Sequence, residues 1–222
     1  MFIVTHILVY LVVAVAAYLM GSIPTGFLVG KAKGIDIRKV GSMNIGATNV
    51  FRNLGKGPGI FVMAVDVLKG WVAVCLVTPL IFKVAGPGFG EGARDVGLIL
   101  SAICAVLGHN YTCWLNFKGG KGIATSAGVL VALVPYALLI ILAVWVVLVA
   151  TTRYVSLAAI LASFTLPFAA WATHESPTRI VVTSVMAVLA IYKHKANIQR
   201  LLSGTENKIV FRKSPAPTEP IK

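Results

Sequence analysis

A run of glycines and small polar residues, Gly41-Ser-Met-Asn-Ile-Gly-Ala-Thr-Asn49, is well suited to hold an anion. Glycine-rich segments expose backbone N–H groups, which bind phosphate when cationic side chains lie nearby. Lysines and arginines flank this run on both sides, and Arg52 can grip a phosphate through two parallel hydrogen bonds. The run therefore predicts a phosphate site, although these residues alone are equally compatible with an ordinary solvated basic loop.

A second run, Phe117-Lys-Gly-Gly-Lys-Gly122, repeats this chemistry directly before an apolar segment. Its spacing differs from Gly-x4-Gly-Lys-Ser/Thr, so it is not the phosphate loop of a nucleoside triphosphatase. A helix that begins after Gly122 would attract anions to its N-terminus. We therefore expect Lys118 and Lys121 on a glycine frame at an anion site, the alternative being a basic turn whose lysines reach lipid headgroups.

Two further segments carry polar groups whose roles the residue types leave open. His194 and Asn197 are three positions apart and share a face if the segment is helical. Arg153 is also consistent with a membrane-interface anchor, and Ser156 with a hydroxyl that packs between helices. Asp66 and Lys69 lie inside an apolar segment, where ionisable groups are costly and face the protein interior, so they are expected to pair or to contact substrate.

The elements that must position these residues are membrane-spanning helices. Of the 222 residues, 58% are hydrophobic and only 12% charged, against about 25% charged residues in soluble domains. A helix needs about 20 apolar residues to span a bilayer. The candidate spans are residues 3–28, 58–82, 95–114, 123–134, 136–152, 154–173 and 178–193. Because no Lys or Arg precedes Lys31, we interpret the first segment as a retained span and not as a signal peptide.

The number of spans depends on Pro135, which either separates two short helices or kinks a single long one. With seven spans and an external N-terminus, 16 of the 20 Lys and Arg residues lie inside and three outside, with Lys69 within a span. Six spans would place Arg153 and the basic C-terminal segment on the opposite side from the first two basic loops. The excess of basic residues in cytoplasmic loops favours seven spans, with the C-terminus inside.

Charge and cysteine content exclude several classes of function. The net charge of +13 is explained by basic cytoplasmic loops, so no nucleic acid is expected as a partner, whereas anionic lipids are. Three cysteines and four scattered histidines match no metal pattern, and we expect neither a metal nor a cofactor. We predict one transmembrane catalytic domain over residues 1–208, followed by a disordered tail over 209–222.

In combination, these segments resemble the bacterial acyl-phosphate:glycerol-3-phosphate acyltransferase family over nearly the whole chain. The motifs that carry the resemblance follow the family's order: Gly21-Ser-Ile-Pro-Thr-Gly26, Gly34-Ile-Asp-Ile-Arg-Lys-Val-Gly-Ser42, Asn44-Ile-Gly-Ala-Thr-Asn49, Asp66-x-x-Lys-Gly70, Phe117-Lys-Gly-Gly-Lys-Gly-Ile-Ala-Thr125, Arg153-Tyr-Val-Ser-Leu157, His194-x-x-Asn-Ile-x-Arg-Leu201 and Gly204-Thr-Glu206. The chain departs from the family at Met43, where Gly is usual, and near Thr112, where a Pro is often present. If position 43 requires a positive φ, a methionine there is strained.

The resemblance implies an all-α, seven-span protein of the bacterial cytoplasmic membrane, with its active site facing the cytoplasm. It implies transfer of a fatty acyl group from acyl phosphate to the 1-hydroxyl of sn-glycerol 3-phosphate, giving lysophosphatidic acid and phosphate, by a monomer. The site residues it implies are Ser42, Lys121 and Asn197 as catalytic groups, and Gly41, Asn44, Ala47, Thr48, Asn49, Arg52, His109, Gly119, Gly120, Ser156, His194 and Glu206 as substrate contacts. A membrane transporter of an organic phosphate is the competing hypothesis, although transporter sites usually lie at the bilayer midplane.

Overall fold

The computed structural model describes residues 2–209, which are almost entirely helical and contain no β-strand. In chain order the helices are α1 (Phe2–Ser22), α2 (Thr25–Ala32), α3 (Ala47–Leu54), α4 (Lys56–Val72), α5 (Thr78–Ala85), α6 (Glu91–Asn110), α7 (Ile123–Leu133), α8 (Pro135–Thr152), α9 (Val155–Ala172), α10 (Pro177–Lys193) and α11 (Lys195–Leu202). Short 3₁₀ turns cover Ile37–Lys39 and Cys113–Leu115, and a π-helical turn, Ala73–Val77, joins α4 to α5.

Every apolar segment predicted to span the membrane is largely helical. Five helical stretches are long and apolar enough to cross a bilayer: Ile3–Ala32, Lys56–Ala85, Glu91–Leu115, Pro135–Thr152 and Val155–Ala172. The other two predicted spans form shorter helices, α7 with 11 residues and α10 with 17. Backbone φ and ψ of −144° and 62° at Val134 separate α7 from α8, so residues 123–152 form two helices and not one kinked helix. The chain is a membrane protein.

Glycines allow two pairs of helices to approach closely. A side chain at Gly21 of α1 would overlap the Ala105 carbonyl of α6, and one at Gly108 of α6 would overlap the Tyr18 carbonyl of α1. Gly70 of α4 faces the Thr125 carbonyl of α7 in the same way. Small residues at such crossings let backbones pack tightly where lipid supplies no hydrophobic driving force. The pairs α1–α6 and α4–α7 therefore form a rigid frame, completed by α8, α9 and α10, which pack in sequence order.

The main apolar core lies between α1, α6, α7, α8, α9, α10 and the π-helical turn. A second cluster, centred on Ile37, Ile45 and Val50, packs beneath the loop that joins α2 to α3. This second cluster gives the predicted phosphate loop a solid base, so the loop is not simply solvated. Met43, within this loop, has a φ of 57°, so the condition under which a methionine there is strained is met. A non-glycine residue in this region is sterically disfavoured.

Candidate active site

A cavity of about 720 Å³ lies between α4, α7, α8, α9 and α10 and reaches the loops at one end of the bundle. The loop end is lined by polar and charged groups, among them Ser42, Arg52, Lys121 and His194. The remaining wall is largely apolar and consists of side chains such as Trp71, Leu130, Val131, Leu138, Ile141, Leu142, Trp145, Leu166 and Met186. The cavity therefore has a cationic end and a long apolar end, which suits an amphipathic ligand.

Asn49 organises the first glycine-rich loop. Its buried side-chain amide nitrogen lies within hydrogen-bonding distance of the carbonyls of Ile37, Val40 and Asn44 at 2.9–3.1 Å, and its oxygen accepts the Ser42 amide at 2.9 Å. A side chain at Gly41, where φ is +57°, would meet Asn49. Asn49 lines the cavity, but its hydrogen-bonding groups are committed to the loop. Its role in this arrangement is to hold Ser42 in place at the cavity.

The second glycine-rich run lies across the C-terminal end of α6. The Gly119 amide donates to the Asn110 carbonyl at 3.2 Å, and the Gly120 amide donates to the His109 carbonyl at 2.9 Å. Side chains at either glycine would overlap α6, at the His109 carbonyl for Gly119 and at the His109 ring for Gly120. Their amides are thus used within the protein, and neither glycine lines the cavity. What they supply is the close approach that brings Lys121 to its position, just before α7 begins.

Lys121 ends a chain of polar contacts that joins three segments of the protein. Its ammonium donates a short hydrogen bond to the Asn197 side-chain oxygen, and the Asn197 amide donates to both Glu206 oxygens at 3.1 Å. Arg200 completes the chain by donating to Glu206 at 2.9 Å. Burial, opposed by Glu206 and reinforced by Arg200 and Arg52, lowers the pKa of Lys121 to about 8. Lys121 is consequently a partly desolvated cation with more cationic than anionic groups around it.

His194 lies at the junction of α10 and α11 and is buried beside Lys121. Its Nδ1 is 2.8 Å from the Ala190 carbonyl, which can only accept, so Nδ1 carries the proton and Nε2 is free to accept a hydrogen bond. Burial and the nearby Lys121 charge lower the pKa of His194 to about 4. The imidazole is therefore neutral at pH 7 and suited to accept a hydrogen bond from a hydroxyl.

A buried ionic cluster of Asp66, Lys69 and His109 adjoins the polar end of the cavity. Of the two alternatives for Lys69 and Asp66, the structure shows the ion pair, at 2.8 Å, and Lys69 also lies 2.9 Å from His109 Nδ1. Thr25 donates to Asp66 at 3.1 Å, and Lys69 donates to the Ile23 carbonyl at 2.9 Å. The bend between α1 and α2 therefore belongs to this cluster, a link that no local sequence pattern indicated.

Comparison with known proteins identifies the family. The family model described as "Glycerol-3-phosphate acyltransferase" matches residues 11–204. The chain belongs to this family. A glycerol-3-phosphate acyltransferase of Fusobacterium nucleatum is 43% identical over 198 residues, covering 89% of this chain and 96% of the relative. One of Geobacter sulfurreducens is 44% identical, with the same coverage of both chains.

Two solved structures of the integral membrane glycerol 3-phosphate acyltransferase PlsY share this architecture. The glycerol 3-phosphate form aligns with a TM-score of 0.81 and 37% identity, covering 90% of this chain and 96% of the other. The lysophosphatidic acid form aligns with a TM-score of 0.78 and 36% identity, covering 90% and 95%. The neighbour is thus a protein of this family for which forms with a polar phosphate and with an acylated phosphate are described.

Most of the residues that the resemblance to the acyltransferase family implied line one cavity in this chain: Ser42, Asn44, Ala47, Thr48, Asn49, Arg52, His109, Lys121, Ser156, His194, Asn197 and Glu206. Gly41, Gly119 and Gly120 lie behind this wall and shape it. The Ser156 hydroxyl is buried without a hydrogen-bond partner in the described part of the chain, which leaves it available to a ligand. The apolar residues of the wall were not predicted as site residues, because in sequence they are indistinguishable from other lipid-span residues.

Proposed function

We propose that the chain transfers a fatty acyl group from acyl phosphate to the 1-hydroxyl of sn-glycerol 3-phosphate, giving lysophosphatidic acid and phosphate. The observation that carries this proposal is the cavity itself, which joins a cationic polar end to a long apolar wall. Along α9 the wall runs from Ser156 to Leu166, a rise of about 15 Å. An acyl chain fits the apolar wall, and its phosphate end then lies among the glycine-rich loops.

Two sets of polar groups are available for the two phosphates. Ser42 and the loop that follows it, together with Lys121, are assigned to acyl phosphate, where a cation stabilises charge that grows on the leaving phosphate and on the carbonyl oxygen. Arg52, Ser156, His194 and Asn197 are assigned to glycerol 3-phosphate. Glu206 positions Asn197 through its two hydrogen bonds.

The reaction needs no covalent enzyme intermediate, since acyl phosphate already carries a good leaving group. The 1-hydroxyl oxygen attacks the acyl carbonyl carbon, a new ester C–O bond forms, and the bond from that carbon to the phosphate oxygen breaks. The hydroxyl proton passes to a phosphate oxygen of a substrate, whose second pKa is about 6. His194 orients the hydroxyl through Nε2 and is too weak a base at pH 7 to be required for proton removal.

The direct test is phosphate release by the purified protein, in detergent or lipid mesophase, from palmitoyl phosphate and glycerol 3-phosphate. Release that requires both substrates, with lysophosphatidic acid formed in equal amount, is the expected result. A transporter of organic phosphates would instead move glycerol 3-phosphate across a vesicle membrane without forming an ester, and that outcome would refute the proposal.

Arg52 provides a test of the glycerol 3-phosphate assignment. Its guanidinium donates to the Asn207 carbonyl at 3.1 Å and lines the cavity, so it is held at the polar end. Arg52→Lys keeps the charge but not the paired geometry, and we expect the KM for glycerol 3-phosphate to rise about tenfold or more, the loss of one charge-assisted hydrogen bond. The KM for acyl phosphate should change little. An unchanged KM for glycerol 3-phosphate would make Arg52 a structural residue.

The pH dependence of kcat tests the route of the proton. With both substrates saturating, kcat should fall as pH decreases through about 6, where a substrate phosphate takes up its second proton. A base at His194 would instead lose activity only near its own pKa of about 4. We expect His194→Gln to retain the acidic limb near pH 6. A wild-type kcat that falls only near pH 4, with that limb absent from His194→Gln, would identify His194 as the base.

The same arrangement supports seven crossings with the polar end in the cytoplasm. All four predicted cytoplasmic segments meet at one end of the bundle: Lys121 contacts Asn197, Arg52 contacts Asn207, and the Ile209 amide donates to the Arg153 carbonyl at 2.8 Å. Successive segments are separated by pairs of helices, which returns the chain to the same side each time. Ile209 is the first residue of the tail predicted to be disordered over 209–222. The rest of that tail, residues 210–222, lies outside the described residues.

Cysteine labelling tests this orientation. In a background without Cys75, Cys104 and Cys113, Glu91→Cys should react with an impermeant thiol reagent added outside intact cells, and Lys118→Cys should react only after the membrane is opened. Both positions are exposed, so accessibility depends on the side of the membrane. Each variant should first be shown to release phosphate. Labelling of both cysteines from the same side would contradict seven crossings.

We further propose a monomer in the bacterial cytoplasmic membrane, with residues 1–208 as a single catalytic domain. The cavity is lined by residues of one chain at both its polar and its apolar end, so a second copy is not needed to complete it.

A further inference from the structure

Ser126 lies in the first turns of α7 and lines the cavity. Its amide donates to the Gly122 carbonyl at 2.7 Å, so Ser126 lies about one helical turn, roughly 5–6 Å, beyond the glycine-rich run that carries Lys121. After Ser126, α7 contains only alanine, glycine, valine and leucine up to its end at Leu133. Ser126 is therefore the last polar side chain of this helix before the apolar wall.

The hydroxyl of Ser126 is not used within the protein. Many hydroxyl groups in the spanning helices donate to the carbonyl four residues earlier in their own helix, at 2.6–2.9 Å: Thr151, Thr152, Ser163, Thr165, Thr173 and Ser184. Such a bond satisfies the hydroxyl locally. Ser126 makes no such bond to Gly122, and within residues 2–209 its hydroxyl has no hydrogen-bond partner. This hydroxyl can therefore bind a ligand.

The open space beside Ser126 is the cavity and not the lipid. Ser126 is partly exposed, whereas Val129, Leu130 and Leu133, which follow it on the same side of α7, are buried. That side of the helix packs within the protein, so the opening at Ser126 belongs to the cavity that it lines. The neighbouring Thr125 hydroxyl is fully enclosed and does not line the cavity. Ser126 thus supplies the hydroxyl that α7 presents to the cavity.

The order of polar and apolar groups along α7 matches the order of groups in an acyl phosphate. Lys121 lies at the level proposed for the phosphate, and Ala127, Leu130 and Val131 line the cavity at the level of the acyl chain. In the substrate the carbonyl group joins the phosphate to the chain, and its oxygen is the last polar atom before the chain. Ser126 lies between Lys121 and the apolar residues, which is the level where this oxygen is expected.

We infer that Ser126 is a further catalytic residue, whose hydroxyl donates a hydrogen bond to the acyl carbonyl oxygen. This inference rests on the proposed function for the identity of the substrate. When the 1-hydroxyl oxygen attacks the carbonyl carbon, an electron pair of the C=O bond moves onto the carbonyl oxygen. Ser126 stabilises the negative charge that develops there and keeps its own proton. The electron pair returns to re-form the C=O bond as the bond to the leaving phosphate breaks.

Replacement of Ser126 separates this role from simple packing. Ser126→Ala should lower kcat by about 10²-fold, the effect of losing one well-placed donor. Neither KM should change much, because the hydrogen bond strengthens only in the transition state. Alanine is a better helix former than serine, so the variant should fold. Ser126→Thr keeps the hydroxyl and should recover most of the lost rate. A wild-type kcat in Ser126→Ala would overturn the inference.

Isotope-edited infrared spectroscopy measures the contact itself. The probe is a 2-oxoalkyl phosphonate with a ¹³C-labelled carbonyl group, in which a CH₂ group replaces the bridging oxygen of acyl phosphate and prevents reaction. A hydrogen bond to the carbonyl oxygen lowers the C=O stretching frequency. We expect the bound probe to show a higher frequency in Ser126→Ala than in the wild type, and the wild-type frequency in Ser126→Thr. Equal frequencies in the wild type and in Ser126→Ala would also overturn the inference.

Ser184→Ala is the matched control. Ser184 lies in α10 and does not line the cavity, and its hydroxyl donates to the Ile180 carbonyl at 2.7 Å. The substitution removes the same atom from another apolar helix and should leave kcat and the carbonyl frequency unchanged. Failure of the proposed function is distinguishable from failure of this inference. In the first case the wild-type protein makes no lysophosphatidic acid, and in the second the wild type and Ser126→Ala make it equally fast.

Discussion

Replacement of Lys121 by alanine should lower kcat for lysophosphatidic acid formation by about 10²–10³-fold, the usual effect of removing one preorganised electrostatic donor. The ammonium is partly desolvated, lines the cavity and is held in place by Asn197. Its interaction with the leaving phosphate strengthens as negative charge develops, so the loss should appear in kcat and not only in KM. Ser42→Ala should be similarly harmful if the Ser42 hydroxyl faces the reacting phosphate.

Lys118→Ala is the control for this prediction. Lys118 belongs to the same glycine-rich run but is exposed and does not line the cavity, so its removal should leave kcat unchanged. The Lys121→Ala protein should also be extracted in normal yield, with an unchanged thermal unfolding temperature. Near-wild-type turnover in a folded Lys121→Ala protein would reduce Lys121 to an interface lysine.

The pKa of Lys121 supplies an independent check. A cation with a pKa of about 8 is charged below that pH and loses its proton above it. We therefore expect kcat/KM, which reports the free enzyme, to fall as pH rises through about 8. Arginine keeps its charge at that pH, so Lys121→Arg should lack this alkaline limb, whatever its absolute rate.

Gly120→Ala is expected to abolish activity although no functional group is removed. The added methyl group would overlap His109 Nε2, and the Gly120 amide would be displaced from the His109 carbonyl, to which it donates at 2.9 Å. Both His109 and Lys121 would then leave their positions at the cavity. A displacement of about 1 Å at a reacting group costs on the order of 10²-fold, and here two groups move together. Phosphate release with both substrates measures the effect.

Gly57→Ala is the matched control, because a methyl group at Gly57 in α4 meets nothing within 4 Å. It should leave activity unchanged, and unfolding temperatures of both variants should be recorded. Wild-type activity in Gly120→Ala would mean that the glycine run tolerates a side chain against α6. The close approach seen here would then not be required for catalysis.

The amino-acid sequence by itself determined the class of the protein and the chemistry of its loops. Apolar length and low charge predicted the helical segments, and the break at Pro135 was correctly interpreted as the boundary between α7 and α8. Spacing also allowed the Asp66–Lys69 pair as one of two alternatives, and the structure contains that pair. These features depend on near neighbours in the chain, since helix periodicity, proline geometry and i,i+3 contacts are local.

Only the tertiary structure decided which of these groups work together. Gly119 and Gly120 were interpreted as substrate contacts, yet their amides are bound to α6 and their role is close packing. The contacts of Lys69 with Ile23 and His109 join three helices, and no local pattern encodes them. The apolar wall was equally hidden, because a side chain that faces lipid and one that faces a cavity have the same composition. The physical reason is that apolar residues are favourable on every face of a membrane-spanning helix. Only the packing of the helices decides which of these faces contacts lipid, the protein core or the binding site.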